Sequence, residues 1–359
     1  MNILLLHGTS DLYGGSKVLI SFVKSIISKG DHPIVVLSEK GPLVEKLEEL
    51  NVEVQIIRLG ILRRKYLSPA GILNRIIVTR KAWKTLQNLI AERDIQLVYS
   101  HTTGVLIGAL IARKLKIRHI WHVLEITTRP VIFVKMMGYL LNNFSESVIV
   151  ASDAVKQHLE KWVDKDKLIR IYNYIDPAPF QDQSASLKNE LCIPADSILI
   201  GMIGRVNHWK GQYYFMEIAK EILKKFPDTH FVMAGDAYPG NESLFDQLNA
   251  DILKQELQHK IHNIGYRTDI VNILNSLDIF VLPSILPDPF PTVILEAMAA
   301  SKPVVATNHG GALEMIADME SGLLIPFNNA IESANKLSVL ITDAEKRQTT
   351  GENAKKRML

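Results

Sequence analysis

Short apolar runs alternate along the chain with longer stretches in which apolar residues recur every three or four positions. In the first half the runs are Ile3–Leu6, Ile34–Leu37, Val52–Ile57, Leu97–Tyr99, His119–Val123 and Val148–Val150. Each reads as a strand. Between them Lys17–Ser28, Pro42–Leu50 and Gly104–Leu115 carry helical spacing. The strand runs are continuous rather than alternating, as expected where both faces of a sheet are covered. Strands that alternate with helices in this way predict a parallel sheet between two helical layers.

The order then restarts. Ile198–Ile203, His230–Ala234, Ile261–Ile264, Ile279–Leu282, Val304–Ala306 and Gly322–Ile325 form a second series of strands between helical patterns. The two series also open alike. ILLLHGTSDLYGG runs strand, loop, Gly14-Gly15, helix, and ILIGMIGRVNHWKG runs strand, loop, Lys210-Gly211, helix. The prediction is an α/β protein of two doubly wound, Rossmann-like domains facing across a cleft: residues 1–176, a proline-containing linker at 177–196, and residues 197–359. In such sheets ligands bind beyond the carboxyl ends of the strands, where these loops lie.

Composition narrows the class. The 359 residues suffice for two cores, and 47% hydrophobic with 22% charged residues describes a globular chain. The net charge of +3 gives no case for nucleic acid. Cys192 is the single cysteine, which excludes an internal disulfide and a cysteine metal cluster and suits a reducing cytoplasm. MNILLLHG lacks a basic leader region and reads as a buried strand, so no signal peptide is expected. No uncharged apolar run is long enough to span a bilayer, so any membrane contact is expected to be peripheral.

One segment departs from this average. Between Val54 and Ala91, Arg58, Arg63, Arg64, Lys65, Arg75, Arg80, Lys81 and Lys84 stand without an acid among them. Ile61, Leu62, Tyr66, Leu67, Ile72, Leu73, Ile76, Ile77, Val78 and Trp83 are interleaved. Residues 58–84 therefore read either as a solvated basic face on a core helix or as a helix docked on an anionic membrane surface. No nucleic-acid motif accompanies them.

Chemistry concentrates in DPFPTVILEAMAASKPVVATNHGGALEMI, Asp288 to Ile316. Pro291 suits the first turn of a helix, Glu296 falls on its second turn, and Asp288 precedes it. A helix N-terminus favours phosphate, and carboxylates accept hydrogen bonds from hydroxyls. Together they fit a sugar nucleotide. The bland alternative is an amphipathic helix with surface acids. In GMIGRVNHWKG, Arg205 leaves a strand and Lys210 opens a helix. Two such cations can stabilise a departing diphosphate, although loop Arg and Lys are more often surface charges.

These motifs resemble those of family 4 glycosyltransferases of GT-B fold. The two acids eight apart around Pro289-Phe290, the EAMA helix, the PVVAT strand, Gly310-Gly311 and the GR-x4-KG loop carry the resemblance. So do Ser152 and Leu159 of ASDAVKQHL, and IYNYID. The chain departs from the family at Asp288, where Glu is usual, and at Pro291 and Tyr174, where Gly is usual. The resemblance implies a retaining transferase that moves a sugar from a nucleotide diphosphate to an acceptor hydroxyl, in surface polysaccharide or glycolipid assembly. It implies that Arg205 and Lys210 hold the diphosphate, Glu296 the ribose hydroxyls and Asp288 the sugar hydroxyls. Gly14 and Gly15 cap the phosphate, Phe290, Pro291, Thr292, Gly310 and Gly311 complete the donor site, and His122 acts near the reacting carbon. His101, after the preceding strand, could line the acceptor side. The backbone at Gly265-Tyr266-Arg267 would face the base.

No metal or other cofactor is expected. The Asp164-x-Asp166 pair sits in a charged turn and reads as solvated, and no His/Cys cluster has metal spacing. The expected partners are a nucleotide-sugar donor, a sugar or lipid-linked acceptor, and an anionic membrane at its cytoplasmic face. Two alternatives stay open: a non-catalytic subunit that keeps the fold, and a nucleotide-sugar epimerase of the same fold. The chain stops soon after Asn353, which predicts that the closing helix is short or absent.

Overall fold

The computed structural model describes residues 1–62, 66, 68–182, 184–238 and 240–359. The chain divides into two compact units, Met1–Ile175 and Asp176–Leu359.

The first unit runs β1 (Asn2–His7), α1 (Gly14–Ser28), β2 (His32–Leu37), α2 (Pro42–Glu48), β3 (Glu53–Ile56), α3 (Pro69–Glu92) and β4 (Leu97–His101). It continues through α4 (Leu106–Leu115), β5 (Arg118–Val123), α5 (Val131–Phe144), β6 (Ser147–Val150), α6 (Asp153–Leu159) and β7 (Leu168–Arg170). Every strand pair is parallel, in the order β3-β2-β1-β4-β5-β6-β7. The chain winds outward from β1 to one edge, then crosses back and winds to the other. That reversal puts α1 and α2 on one face and α3, α4 and α5 on the other. Alternation along β1 serves both layers: Ile3 and Leu5 pack with Leu19, Val23, Leu43 and Leu47, and Leu4 and Leu6 with Leu86, Ile90, Ile107 and Ile111. Each such side chain, fully buried, contributes about 1.5–3 kcal/mol. The strand reads as one apolar run because neither face meets water.

The second unit repeats the plan. It comprises α7 (Leu187–Glu190), β8 (Leu199–Ile203), α8 (Gln212–Leu223), β9 (His230–Ala234), α9 (Ser243–Lys254), β10 (Ile261–Asn263), α10 (Ile270–Ser276) and β11 (Ile279–Leu282). After these come α11 (Thr292–Ala299), β12 (Val304–Thr307), α12 (Ala312–Met315), β13 (Gly322–Ile325), α13 (Ala330–Thr342) and α14 (Ala344–Met358). Its six strands are parallel, in the order β10-β9-β8-β11-β12-β13.

Two expectations are corrected. The basic helix does not run over residues 58–84. Ser68 caps it by accepting from the Gly71 N–H at 3.2 Å, and Pro69 occupies the first turn. Arg58 therefore lies outside α3, whereas Arg75, Arg80, Lys81 and Lys84 lie on it; Arg63, Arg64, Lys65 and Leu67 fall outside the described residues. The stretch expected as a free linker is built into the second unit. Residues 178–181 form a 3-10 turn beside α11, and Lys188 Nζ reaches Asp278 and the Ser197 carbonyl, at 2.9 and 2.8 Å. The last helix, α14, has 15 residues, is capped by Asp343, and packs on α11 and α13 of its own unit. Gly351 permits this: a Cβ there would stand 2.0 Å from the Ser301 carbonyl.

Candidate functional site

In the second unit the site is built where β8 and β11 end. The Gly204 and Val206 N–H groups donate to the carbonyls of Ala234 and Asp236, so the loop after β8 continues alongside β9. That alignment fixes Arg205, which is only 7% exposed. Its carbonyl accepts from Gln212 Nε2 at 2.8 Å, and its guanidinium lies 3.8 Å over the Tyr238 ring. The Asn207 carboxamide accepts from the N–H groups of Trp209 and Lys210, which forms the turn before α8. Gly211 then adopts φ +81°, and a Cβ there would meet the Pro283 carbonyl at 1.9 Å. Only glycine lets the chain pass so close.

That passage delivers Lys210 to Asp288. Nζ lies 2.9 Å from both carboxylate oxygens, and Ser284 Oγ donates to the same carboxylate at 2.5 Å. The Ser284 carbonyl accepts in turn from Thr307 Oγ1 and His309 Nε2, each at 2.7 Å. Asp288, expected to read sugar hydroxyls, is here paired with the cation expected to hold phosphate. Pro291 stands just before α11 in an extended conformation rather than inside the first turn. Phe290, Thr292 and Glu296 are all buried, Glu296 at 3% exposure on a helix enclosed along most of its length.

Gly310 and Gly311 have a role within the chain itself. A Cβ on Gly310 would come within 2.4 Å of the Asp288 carbonyl, and one on Gly311 within 2.1 Å of the Pro289 carbonyl. The Gly311 N–H donates to the Asp288 carbonyl at 2.8 Å. The glycine pair thus lets the loop before α12 hold the Asp288–Phe290 backbone in place, and the Gly311 N–H is spent on that. Around Gly265, the carbonyl accepts from Gly235, and Arg267 is committed to Glu190 and Asp269.

In the first unit the site lies at the carboxyl ends of β1, β4 and β5. Register places His7 opposite His101, and His101 opposite His122. Nδ1 of His7 and Nδ1 of His101 are 3.0 Å apart, and the His101 and His122 rings meet edge to face at 5.2 Å. Tyr99 Oη is 2.6 Å from His122 Nδ1. Burial holds His101 well below the ordinary imidazole range and brings His122 to about 3, so both rings are neutral. Nε2 of each is buried and finds no hydrogen-bond partner among the described residues. Nearby, burial raises Glu125 to about 7, although its carboxylate accepts from the Thr103 and Leu124 N–H groups.

α1 begins above this row. Gly14 and Gly15 open the helix, and a Cβ on Gly15 would meet nothing within 4 Å. No neighbour among the described residues requires glycine there, so the open space suits the close approach of a ligand. Ser16, one residue on, lies 3.2 Å from His7 Nε2 and donates to Asp11. Asp164 and Asp166 are exposed around a 3-10 turn, and Tyr174 is exposed. Among the described residues no group of three or more His, Cys, Asp or Glu is arranged to hold a metal.

Sequence reasoning missed His7, Tyr99, Ser284 and His309. Their partners lie on other strands or loops, and no local pattern marks them. The position of His7 at the end of the first strand was the one available signal.

Two units, each a parallel sheet that reverses at its first strand, define a GT-B architecture. Residues 13–179 match the family described as Glycosyltransferase Family 4, and residues 183–357 that described as Glycosyl transferases group 1. The chain belongs to glycosyltransferase family 4 and is a glycosyltransferase of GT-B fold. It is 28% identical over 327 residues to the Escherichia coli UDP-Gal:alpha-D-GlcNAc-diphosphoundecaprenol alpha-1,3-galactosyltransferase, covering 86% of this chain and 79% of that one. It is 23% identical to a Campylobacter jejuni alpha-1,4-N-acetyl-D-galactosaminyltransferase that acts on a diNAcBac-PP-undecaprenol glycan, over 99% of this chain and 93% of that one. Among solved structures, Anabaena HepE in complex with UDP-glucose superposes with a TM-score of 0.85 at 25% identity, covering 100% of this chain and 94% of that one.

Proposed function

We propose that this chain is a retaining transferase that moves a hexose from a uridine diphosphate sugar to a hydroxyl of a lipid-linked acceptor, at the cytoplasmic face of a membrane. The observation that carries the reading is the pairing of Lys210, from the loop after β8, with Asp288, from the loop after β11. Arg205 lies buried in the same loop as Lys210, and Glu296 lies buried on the second turn of the helix that follows Asp288. A relative that uses UDP-Gal and a structural neighbour that binds UDP-glucose support the choice of base. The undecaprenol acceptors named for two relatives support the lipid.

In this reading Arg205 and Lys210 take the diphosphate, and no metal is called for. Glu296 accepts from the ribose hydroxyls, and Asp288 from those of the sugar. The bond from the anomeric carbon to the phosphate oxygen breaks as the acceptor oxygen bonds to the same face, and the acceptor proton passes to the leaving diphosphate. The cations favour this step because they meet charge that grows as the leaving group departs.

The membrane surface follows from α3 and α5. Ile72, Leu73, Ile76 and Ile77 are exposed on α3, beside Arg75, Arg80, Lys81 and Lys84. Val131, Ile132, Met136 and Tyr139 are exposed on α5, on the same face of the sheet. No described helix is long and apolar enough to cross a bilayer.

The test is a thermal-shift panel with UDP, GDP, ADP and CMP and their hexose conjugates, on the native chain and on Glu296→Ala. A nucleotide at about 100 times its Kd stabilises by about 2.7 kcal/mol. UDP and a UDP-hexose should give that shift, and Glu296→Ala should lose it. A response to another base, or to none, would sink the donor assignment.

A further inference from the structure

We propose that Tyr99 is a positioning residue that holds His122 as a neutral ring with its proton on Nε2, so that His122 presents a hydrogen-bond donor, not a base, to a substrate oxygen. The inference rests on the reading above only in giving His122 a place near the donor sugar.

Geometry supplies the first argument. Tyr99 is fully buried two residues before the end of β4, its ring stacked on Phe22 at 4.5 Å and 20°. That stacking aims the hydroxyl across to the neighbouring strand, where it meets His122 Nδ1 at 2.6 Å. The His101 ring stands edge-on to His122 at 82° and is itself held by His7. Phenol on one side and imidazole on the other leave His122 little freedom to turn.

Acidity supplies the second. A phenol is far more acidic than the N–H of a neutral imidazole, so the proton in this bond sits on oxygen and Nδ1 accepts. Burial raises Tyr99 well above its ordinary value, which keeps the hydroxyl protonated. A neutral ring whose Nδ1 accepts must carry its proton on Nε2. That atom is buried and has no partner among the described residues. Buried donors without an acceptor are rare in folded proteins, and where one occurs it calls for a reason. A ligand oxygen is that reason here. The same tautomer excludes Nε2 as the acceptor of the acceptor-hydroxyl proton.

The experiment uses the full chain with its 11 histidines labelled with nitrogen-15. The His122 signals are identified by their loss in His122→Gln, and two-bond proton–nitrogen correlations report which ring nitrogen carries hydrogen. Nε2 should be protonated in the native chain. In Tyr99→Phe, which removes one oxygen and keeps the stacked ring, the Nδ1 signal should move toward its protonated position. Turnover of UDP-glucose or UDP-galactose by Tyr99→Phe, per folded molecule, should fall about tenfold in kcat, with affinity for UDP unchanged. A purely structural role would lower the melting temperature and leave kcat per folded molecule intact, which would overturn the proposal. A native ring protonated on Nδ1 would overturn it as well. If neither UDP-sugar is turned over, the donor reading fails, and the ring-nitrogen measurement still decides the role of Tyr99.

Discussion

Lys210 and Asp288 lie 78 residues apart in sequence, yet Lys210 Nζ reaches both oxygens of the Asp288 carboxylate at 2.9 Å. The pair is mostly buried, and Ser284 adds a third hydrogen bond to the carboxylate. In the folded chain each is therefore the counter-ion of the other. In the proposed function a donor diphosphate would compete with Asp288 for this one ammonium group, and its binding to Lys210 would free Asp288 lone pairs for sugar hydroxyls. Lys210→Ala should lower kcat by about 10²–10³, the usual cost of removing one transition-state donor. Asp288→Ala should lose about 2 kcal/mol of stability, because it strands a part-buried charge. It should nevertheless bind UDP more tightly, because Lys210 is released. Calorimetric titration of UDP reads this directly, and an unchanged or weaker affinity would refute the competition.

Gly211 makes the approach of Lys210 possible. Alanine there would carry the strain of positive φ and a Cβ 1.9 Å from the Pro283 carbonyl. The backbone would have to shift, and Lys210 with it. Gly211→Ala should cost at least about 2 kcal/mol of stability and lose the UDP thermal shift. Gly15→Ala is the control. Its Cβ meets open space, so stability should hold within about 0.5 kcal/mol while UDP response falls. Loss of stability at Gly15 equal to that at Gly211 would remove the case for a ligand at α1.

The buried histidines make the fold acid-sensitive. His119 Nδ1 donates to the Phe144 carbonyl, so its neutral ring accepts at Nε2 from Ser100 Oγ. Burial lowers it from 6.5 to about 4. The unfolded chain then binds more protons between those values, so the contribution is present above pH 6.5 and is lost as pH falls toward 4. At pH 5 the loss is about 2 kcal/mol for this residue. Denaturant midpoints of the native chain and His119→Gln, compared at pH 7.5 and 5.0, should differ less in the variant by about that amount. Equal slopes would show that His119 titrates normally.

Glu125 acts in the opposite sense. Its folded value of about 7 lies above the ordinary 4.5, so the folded state holds the extra proton between them. Its stabilising contribution is complete below pH 4.5 and is lost as pH rises through 7. The shift from 4.5 to about 7 corresponds to a loss of about 3 kcal/mol once the carboxyl is ionised in both states. Glu125→Gln should be more stable than the native chain at pH 8, and the two should converge at pH 4.5. A variant less stable at pH 8 would show that the ionised carboxylate is what the site requires.

Much of this was legible in the sequence, and what was not has a common cause. The βα alternation is a local signal, readable from spacing, and the Arg205–Lys210 loop stood out through its resemblance to the family motif. Contacts made by register are not. His7, His101 and His122 become neighbours only when β1, β4 and β5 pair, and Tyr99 reads as one more apolar residue of a buried strand. Lys210 and Asp288 each carry a recognisable motif, and neither motif says that the two touch. Gly310 and Gly311 look like a ligand loop in sequence because backbone packing and ligand approach both demand glycine. The start of α3 was misplaced although Ser68-Pro69 marks it, because the basic residues before it suggested one continuous helix.

The membrane reading makes the most exposed prediction. α3 divides along its length. Its second half buries Ala82, Leu86, Leu89 and Ile90, whereas Ile72, Leu73, Ile76 and Ile77 in its first half are exposed, Leu73 at 58%. Core packing explains the second half only. On α5, Ile132 is 80% exposed and Val131 lies beside it. Apolar groups alone would suit any hydrophobic partner, but the cations of α3 select an anionic one. Each basic residue near an anionic surface contributes about 1 kcal/mol, and this attraction is screened by salt. The native chain should therefore co-sediment with phosphatidylglycerol vesicles at low salt and less at 0.5 M. Arg80→Glu with Lys84→Glu should abolish binding to anionic vesicles and leave the UDP thermal shift intact. Leu73→Asp with Ile132→Asp should weaken binding at every salt concentration, since it removes insertion rather than attraction. Equal binding to neutral and anionic vesicles, or none to either, would leave the exposed faces of α3 and α5 without a lipid partner.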